Sequence, residues 1–270
     1  MKKLLLSAVC CTSLIFSGCN KDDNNSGGGG INIFTVQDDK ELGLQVKGEI
    51  AADPVEFPIL NPATNAAAYD YLYGIRNEIL NSGAVTHKDD FVWELYIVKR
   101  DDIQNAFCTP GGYIYIYTGL IKYLDSKSAL AGVIGHEIAH ADKRHSTEQL
   151  TKIYGIQTLL DIVLGEDQGL ISQVATQLVG LKFSRSNEEE ADESSVNYLC
   201  PTKYEADGAA LFFQKILDDG VVAPPEFLST HPSPDNRVQN IESYAKEKAC
   251  TSFITQDEEI NSYNAFKASL

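Results

Sequence analysis

No run of about 18 apolar residues occurs in this 270-residue chain, which argues against a polytopic membrane protein. Clustered cations are also missing. Lys and Arg number 22 against 38 Asp and Glu, a formal net charge of −16. Gripping a phosphate backbone needs grouped Lys and Arg, so a nucleic-acid partner is not expected. Internal repeats are absent, and no second linker follows Gly30. What is present is ordinary globular material, 43% hydrophobic and 22% charged. That composition can bury one sizeable core, and with the helix and strand patterns described below one α+β domain is expected.

The N-terminus reads as an export signal. Met1-Lys2-Lys3 is a short basic start, Leu4 to Phe16 is a mainly apolar stretch of 13 residues, and Ser17-Gly18 precede Cys19. A stretch that short cannot span a bilayer core and fits a cleaved secretory signal. Phe16-Ser17-Gly18-Cys19 resembles a bacterial lipobox, with Phe16 where Leu is usual, so Cys19 is the expected lipidation site. Asn20 to Gly30 is polar and ends in four glycines, the composition of a flexible tether. Residues 1–18 are therefore read as signal peptide, 19–32 as lipidated tether and 33–270 as the folded domain. Loss of 1–18 removes two Lys and no acid, moving the formal charge from −16 to −18. So acidic a body does not adhere to an anionic bilayer by itself, and lipid would be its only membrane attachment. Lys21-Asp22-Asp23 resembles the surface-export signal of some Gram-negative lipoproteins.

Cys10 and Cys11 leave with the signal, so Cys108, Cys200 and Cys250 remain in the domain. An oxidising compartment permits one disulfide among them. Cys108 sits in an apolar strand and reads as a buried thiol. Cys200 and Cys250 each end a helical stretch and are the expected pair.

Thr35, with Asp38 three residues on, predicts a capped helix to about Ile50. A second helix is expected over Ala66 to Asn81. Phe91 to Lys99 and Asn105 to Thr109 read as strands, and Pro110-Gly111-Gly112 as a turn. Tyr113-Ile114-Tyr115-Ile116-Tyr117 alternates strictly, which predicts a half-exposed strand. Ser126 or Ser128 caps a helix to about His145. Amphipathic helices follow over Ile153–Leu164 and Leu170–Leu181, then Glu188–Leu199 and Arg237–Ala249.

Chemistry concentrates in His136-Glu137-Ile138-Ala139-His140. Two His at i and i+4 share one helix face and can reach one zinc ion, with Glu137 offset to take a proton from the metal's water. The preceding Ala129 to Ile134 is apolar, so this helix is buried, and buried His without partners would be costly. Catalytic zinc usually keeps three protein ligands and a water. His87, His145, His231 and the acidic run Glu188 to Glu193 all remain open as sources of the third. Spacing alone does not choose. A carboxylate one turn beyond a ligand could also accept the free N–H of a ligating His.

A longer ordered series completes the picture: Glu41-Leu42-Gly43, Asn105-Ala106-Phe107, Pro110-Gly111-Gly112-Tyr113-Ile114, Thr118-Gly119-Leu120, His136 to His140, Ser184-Arg185, Glu188-Glu189-Glu190-Ala191-Asp192, His231-Pro232-Ser233 and Arg237. Over residues 35–245 it resembles the HtpX-like, CAAX-prenyl-protease-type zinc metallopeptidases, a gluzincin family. The resemblance implies a zincin-like fold, mostly helical with a small sheet beside the His136–His140 helix. It implies one zinc per chain, with Glu188 as third ligand and Asp192 as the partner behind it. No spanning helix fits between the two zinc motifs. The chain therefore looks like the small outer-membrane lipoprotein branch, for which prenylated substrates are not expected.

The resulting expectation is a zinc metalloendopeptidase in which Glu137 is the general base. His231 and Arg237, at the family's His-Pro and Arg positions, are the candidate partners of the oxyanion. Its substrates would be unfolded or misassembled envelope proteins, met in the periplasm or at the cell surface. Tyr113, Ile114 and Tyr115 could pair with an extended substrate by strand addition, and His145 reads as a cation near a helix C-terminus. A zinc-containing, chaperone-like binding protein and a surface protease acting on external proteins are the competing classes.

Overall fold

The computed structural model describes residues 34–167, 169–220, 226–232 and 236–270. The signal peptide, Cys19, the tether and Ser233 lie outside the described residues.

Thr35 opens the first helix, α1 (Val36–Ala52). Its hydroxyl accepts from the Asp38 amide, and the Asp38 carboxylate accepts from the Thr35 amide. α2 (Ala66–Leu80) and three strands follow: β1 (Glu94–Val98), β2 (Ala106–Thr109) and β3 (Tyr113–Tyr117). The expected strand from Phe91 begins late because Trp93 takes a left-handed backbone and its indole N–H donates back to the His87 and Lys88 carbonyls. Gly111 and Gly112 turn the chain from β2 into β3 with φ of 78° and 88°, where a Cβ would be strained.

The sheet order is β1-β3-β2, with β3 parallel to β1 and antiparallel to β2. Two expectations for β3 are corrected here. It is central, so both of its backbone edges are already paired and Tyr113, Ile114 and Tyr115 cannot receive a substrate strand. Nor is it half-exposed. Its Ile face packs into the core with α2 and the helix after the sheet, while its Tyr face is covered as well. Tyr115 stacks on Phe107 at 4.7 Å, among Leu42, Val46, Leu159, Val174 and Leu178.

The remaining chain is helical: α3 (Thr118–Tyr123), α4 (Lys127–Asp142), α5 (His145–Tyr154), α6 (Ile156–Val163), α7 (Ile171–Val179), α8 (Arg185–Leu199), α9 (Gly208–Asp218), α10 (Phe227–Thr230) and α11 (Arg237–Glu247). A π-helical turn (Asp257–Ser262) leads into α12 (Tyr263–Ala268). The fold is thus α+β, mostly helical with one small sheet. α6 and α7 lie on α1 and supply the apolar cover of the Tyr face. Among the described residues, no helix is long and apolar enough to cross a membrane.

α4 runs through the centre. Ser126 caps it, and Ser128 to Asp142 are all buried. A helix apolar on every side needs neighbours on every side, and α2, α8, α9 and β2 provide them. Close approach depends on Gly132, where a Cβ would lie 2.1 Å from the Ala209 amide of α9, and on Gly135, which faces Ser195 of α8. α4 ends earlier than expected because Arg144 turns left-handed (φ 61°). Its guanidinium meets Asp39 and the Phe34 and Thr35 carbonyls. His145 therefore starts a new helix. Cys200 and Cys250 are joined by a disulfide that links the end of α8 to the chain beyond α11, and Cys108 is a buried free thiol.

Candidate functional site

His136 and His140 stand one turn apart on α4, their Nε2 atoms 3.0 Å from each other. α8 crosses α4 so that Glu188 reaches the same point. Its Oε2 lies 3.5 Å from His136 Nε2 and its Oε1 lies 3.4 Å from His140 Nε2. Just past α10, His231 brings Nδ1 to 3.1 Å from Glu188 Oε1. One donor atom from each of these four residues lies within 4.8 Å of all the others, and all four are buried.

The protons can be placed. His136 Nδ1 lies 2.9 Å from Asp192 Oδ1. Asp192 is a carboxylate and accepts the His136 Nδ1–H, so a metal displacing the second proton would find the Nε2 lone pair turned inward. Arg237 holds Asp192 through two N–H donors, Nε at 2.7 Å and Nη2 at 2.8 Å, and Nη2 also reaches Glu188 Oε2 at 2.9 Å. Arg237 packs on the Phe213 ring. Two of its nitrogens, Nε and Nη2, are thus held by carboxylates, while Nη1 is buried with no hydrogen-bond partner among the described residues. Phe183 stacks on His140 and Phe227 on His231, fixing both rings.

Burial favours the neutral form of Glu137 and raises its pKa, although His231 and His136 pull the other way. Burial would also raise Glu188, but His231, His136 and His140 outweigh it and hold that carboxyl well below its usual range. His140 is pushed well below the imidazole range by burial and by neighbouring His136. Burial lowers His136 too, yet Asp192 and Glu188 win and push it up to about 9.

This donor set fits a divalent cation on two counts. Glu188 and Asp192 are buried carboxylates that share the single guanidinium of Arg237, and a third buried carboxyl, Glu137, lies beside the donors, an acidic site that water cannot screen. Both oxygens of Glu137 and Nε2 of His231 are buried without a hydrogen bond of good geometry among the described residues, their nearest approach being Glu137 Oε1 to His231 Nε2 at 3.5 Å. Buried polar atoms are rarely left so. Imidazole and carboxylate in this number are zinc's usual ligands.

The structure brings together His136, Glu137, His140, Glu188, Asp192, His231 and Arg237. His145, expected as a cation near a helix C-terminus, is instead 1% exposed at the start of α5, with Nδ1 2.9 Å from His140 Nδ1. Sequence reasoning missed this contact because the left-handed Arg144 breaks the helical spacing that would have been used to place it.

A buried helix presenting His-Glu-x-x-His to one point, with a carboxylate from a second helix beside it, defines a zincin-type metallopeptidase centre. The profile described as Peptidase family M48 matches residues 70–245, and the chain belongs to that family of zinc metallopeptidases. It is 35% identical over 156 residues to the mitochondrial metalloendopeptidase OMA1 of Arabidopsis thaliana, covering 57% of this chain and 32% of that protein. It is 31% identical over 170 residues to the beta-barrel assembly-enhancing protease of Yersinia pestis, covering 57% and 35%. The OMA1 protein of Schizosaccharomyces pombe matches at 29% over 170 residues, covering 61% and 50%. The match spans a third to a half of these relatives' length.

Proposed function

We propose that the chain is a zinc metalloendopeptidase using one zinc ion held by His136, His140 and Glu188. The observation that carries this reading is Glu137, a fully buried carboxyl group next in sequence to His136 and 3.5 Å from His231, beside the converging donors. A pure binding site has no need of such a base. When bound, zinc polarises a water and the scissile carbonyl. Glu137 takes the water's proton and later passes it to the leaving amine. His231 Nε2, 3.5 Å from Glu137 Oε1, is placed to donate to the developing oxyanion. Asp192 fixes the His136 tautomer, and Arg237 fixes Asp192.

The wider role is an extension of this reading. The signal, the lipobox-like Cys19 and the 19–32 tether support a lipid-anchored enzyme of the bacterial envelope, in the small lipoprotein branch, with residues 33–270 as its catalytic domain. Its substrates would be unfolded or misassembled envelope proteins, in line with a relative named as a beta-barrel assembly-enhancing protease. Lys21-Asp22-Asp23 favours a second placement, at the cell surface, which protease shaving of whole cells distinguishes.

Hydrolysis of casein by the zinc-loaded chain, with Glu137→Gln as control, tests the proposal. Cleavage by the parent and a loss of about 10²–10⁴-fold or more in the variant is expected. No cleavage by the parent with zinc bound would favour the chaperone-like alternative.

A further inference from the structure

We propose that His145 and Glu190 form a positioning pair that fixes the tautomer of His140 and so sets the affinity of the site for zinc. The inference rests on the reading of His140 as a metal ligand. His140 can bind through Nε2 only if its proton sits on Nδ1. That proton then points at His145 Nδ1, 2.9 Å away. Two N–H groups cannot face each other there, so His145 Nδ1 must be the acceptor and the His145 proton must sit on Nε2. His145 Nε2 in turn lies 3.4 Å from Glu190 Oε2. The three groups form one directed chain, from His140 through His145 to Glu190, in which each tautomer follows from the next.

The pair spans three elements. His140 is in α4, His145 opens α5 and Glu190 lies on α8, two residues beyond Glu188. His145 is buried, whereas the Glu190 side chain is 36% exposed and ends the chain at the surface. The two ligating histidines are thereby held differently. His136 leans on a buried anion, Asp192, itself gripped by Arg237, while His140 leans on a neutral ring. Phe183, stacked at 3.9 Å, covers one face of the His140 ring and holds its plane.

The test compares zinc dissociation constants of the full chain, measured by chelator competition, for His145→Leu and His145→Asn. Leu and Asn are close in size, so both remove the same ring packing. Only Asn restores an acceptor oxygen at the place of Nδ1. Zinc binding about 10–100-fold weaker in His145→Leu, with His145→Asn near the parent, is the expected result. Equal affinities in the two variants overturn the proposal. Thermal melts accompany both. If His145→Leu does not fold, Glu190→Ala decides, since its side chain is partly exposed. It should weaken zinc binding, and unchanged binding overturns the pair. His140→Ala separates the two levels of the argument. If it keeps the parent's zinc affinity, the ligand assignment fails first.

Discussion

Arg237 shows how a residue far along the chain stabilises a site it does not have to touch a substrate to serve. Its guanidinium satisfies Asp192 with two hydrogen bonds and meets Glu188 with a third contact. Arg237→Met would leave two buried carboxylates without their cation. Removing one partner of a buried pair costs about 3–5 kcal/mol, so a fall of that size in denaturant stability is expected, together with weaker zinc binding. Glu188→Gln separates metal binding from this structural role. It keeps the size of the side chain but removes the anionic ligand, so zinc content should fall well below one per chain by elemental analysis. Full zinc occupancy in that variant would exclude Glu188 as a ligand. Cys108 belongs to the residue scale as well. Burial and nearby Glu137 push its thiol up well above the usual range, so it should resist alkylation in the folded chain.

Helix α4 sets the geometry at the next scale. Its two ligands are placed by helical period, but its depth in the core is set by small residues. Gly132 lets the α9 backbone come within contact, and Ser195 of α8 donates to the Gly132 carbonyl at 3.1 Å. Gly132→Ala should therefore destabilise by about 1–3 kcal/mol through overpacking, read as a lower denaturation midpoint with unchanged slope. A stability equal to the parent's would mean that α9 shifts freely, and the close packing would then carry no weight. The capping box at Thr35 was legible because it is a local pattern of four residues. The alternation in Tyr113–Tyr117 was legible as a strand, yet its exposure was not. Period two says only that the two faces differ, and here one face meets isoleucine packing while the other meets aromatic and aliphatic cover from α1, α6 and α7.

Across the whole molecule, charge and cross-linking decide stability. The buried cluster of metal donors at His136, His140, Glu188 and His231 predicts that a chelator lowers the melting temperature and that added zinc restores it, by preferential binding to the folded chain. An unchanged melt under chelation would mean that the cluster holds no ion. The Cys200–Cys250 bridge closes a loop with a sequence separation of 50 and ties α8, which carries Glu188 and Asp192, to the chain beyond α11, which carries Arg237. Cys250→Ser should cost about 2–4 kcal/mol, measured against the oxidised parent in urea.

Local spacing alone was enough to mark His136, Glu137 and His140 as one chemical unit, because helical period puts i and i+4 on the same face whatever surrounds them. Composition and short patterns likewise sufficed for the α+β class and most helix positions. Among the acidic residues of α8 spacing did not choose; the family resemblance implied Glu188, and tertiary packing supplies the physical cause. Glu188 meets both histidines because of the angle and depth at which α8 crosses α4, and neither is written in the spacing of Glu188 to Glu193. It also made β3 a central strand, closed Arg237 onto Asp192 and brought His145 to His140 around a left-handed residue. The physical reason is the same throughout. Periodicity is a property of the backbone, whereas the meeting of distant segments depends on which surfaces can come close enough to exclude water.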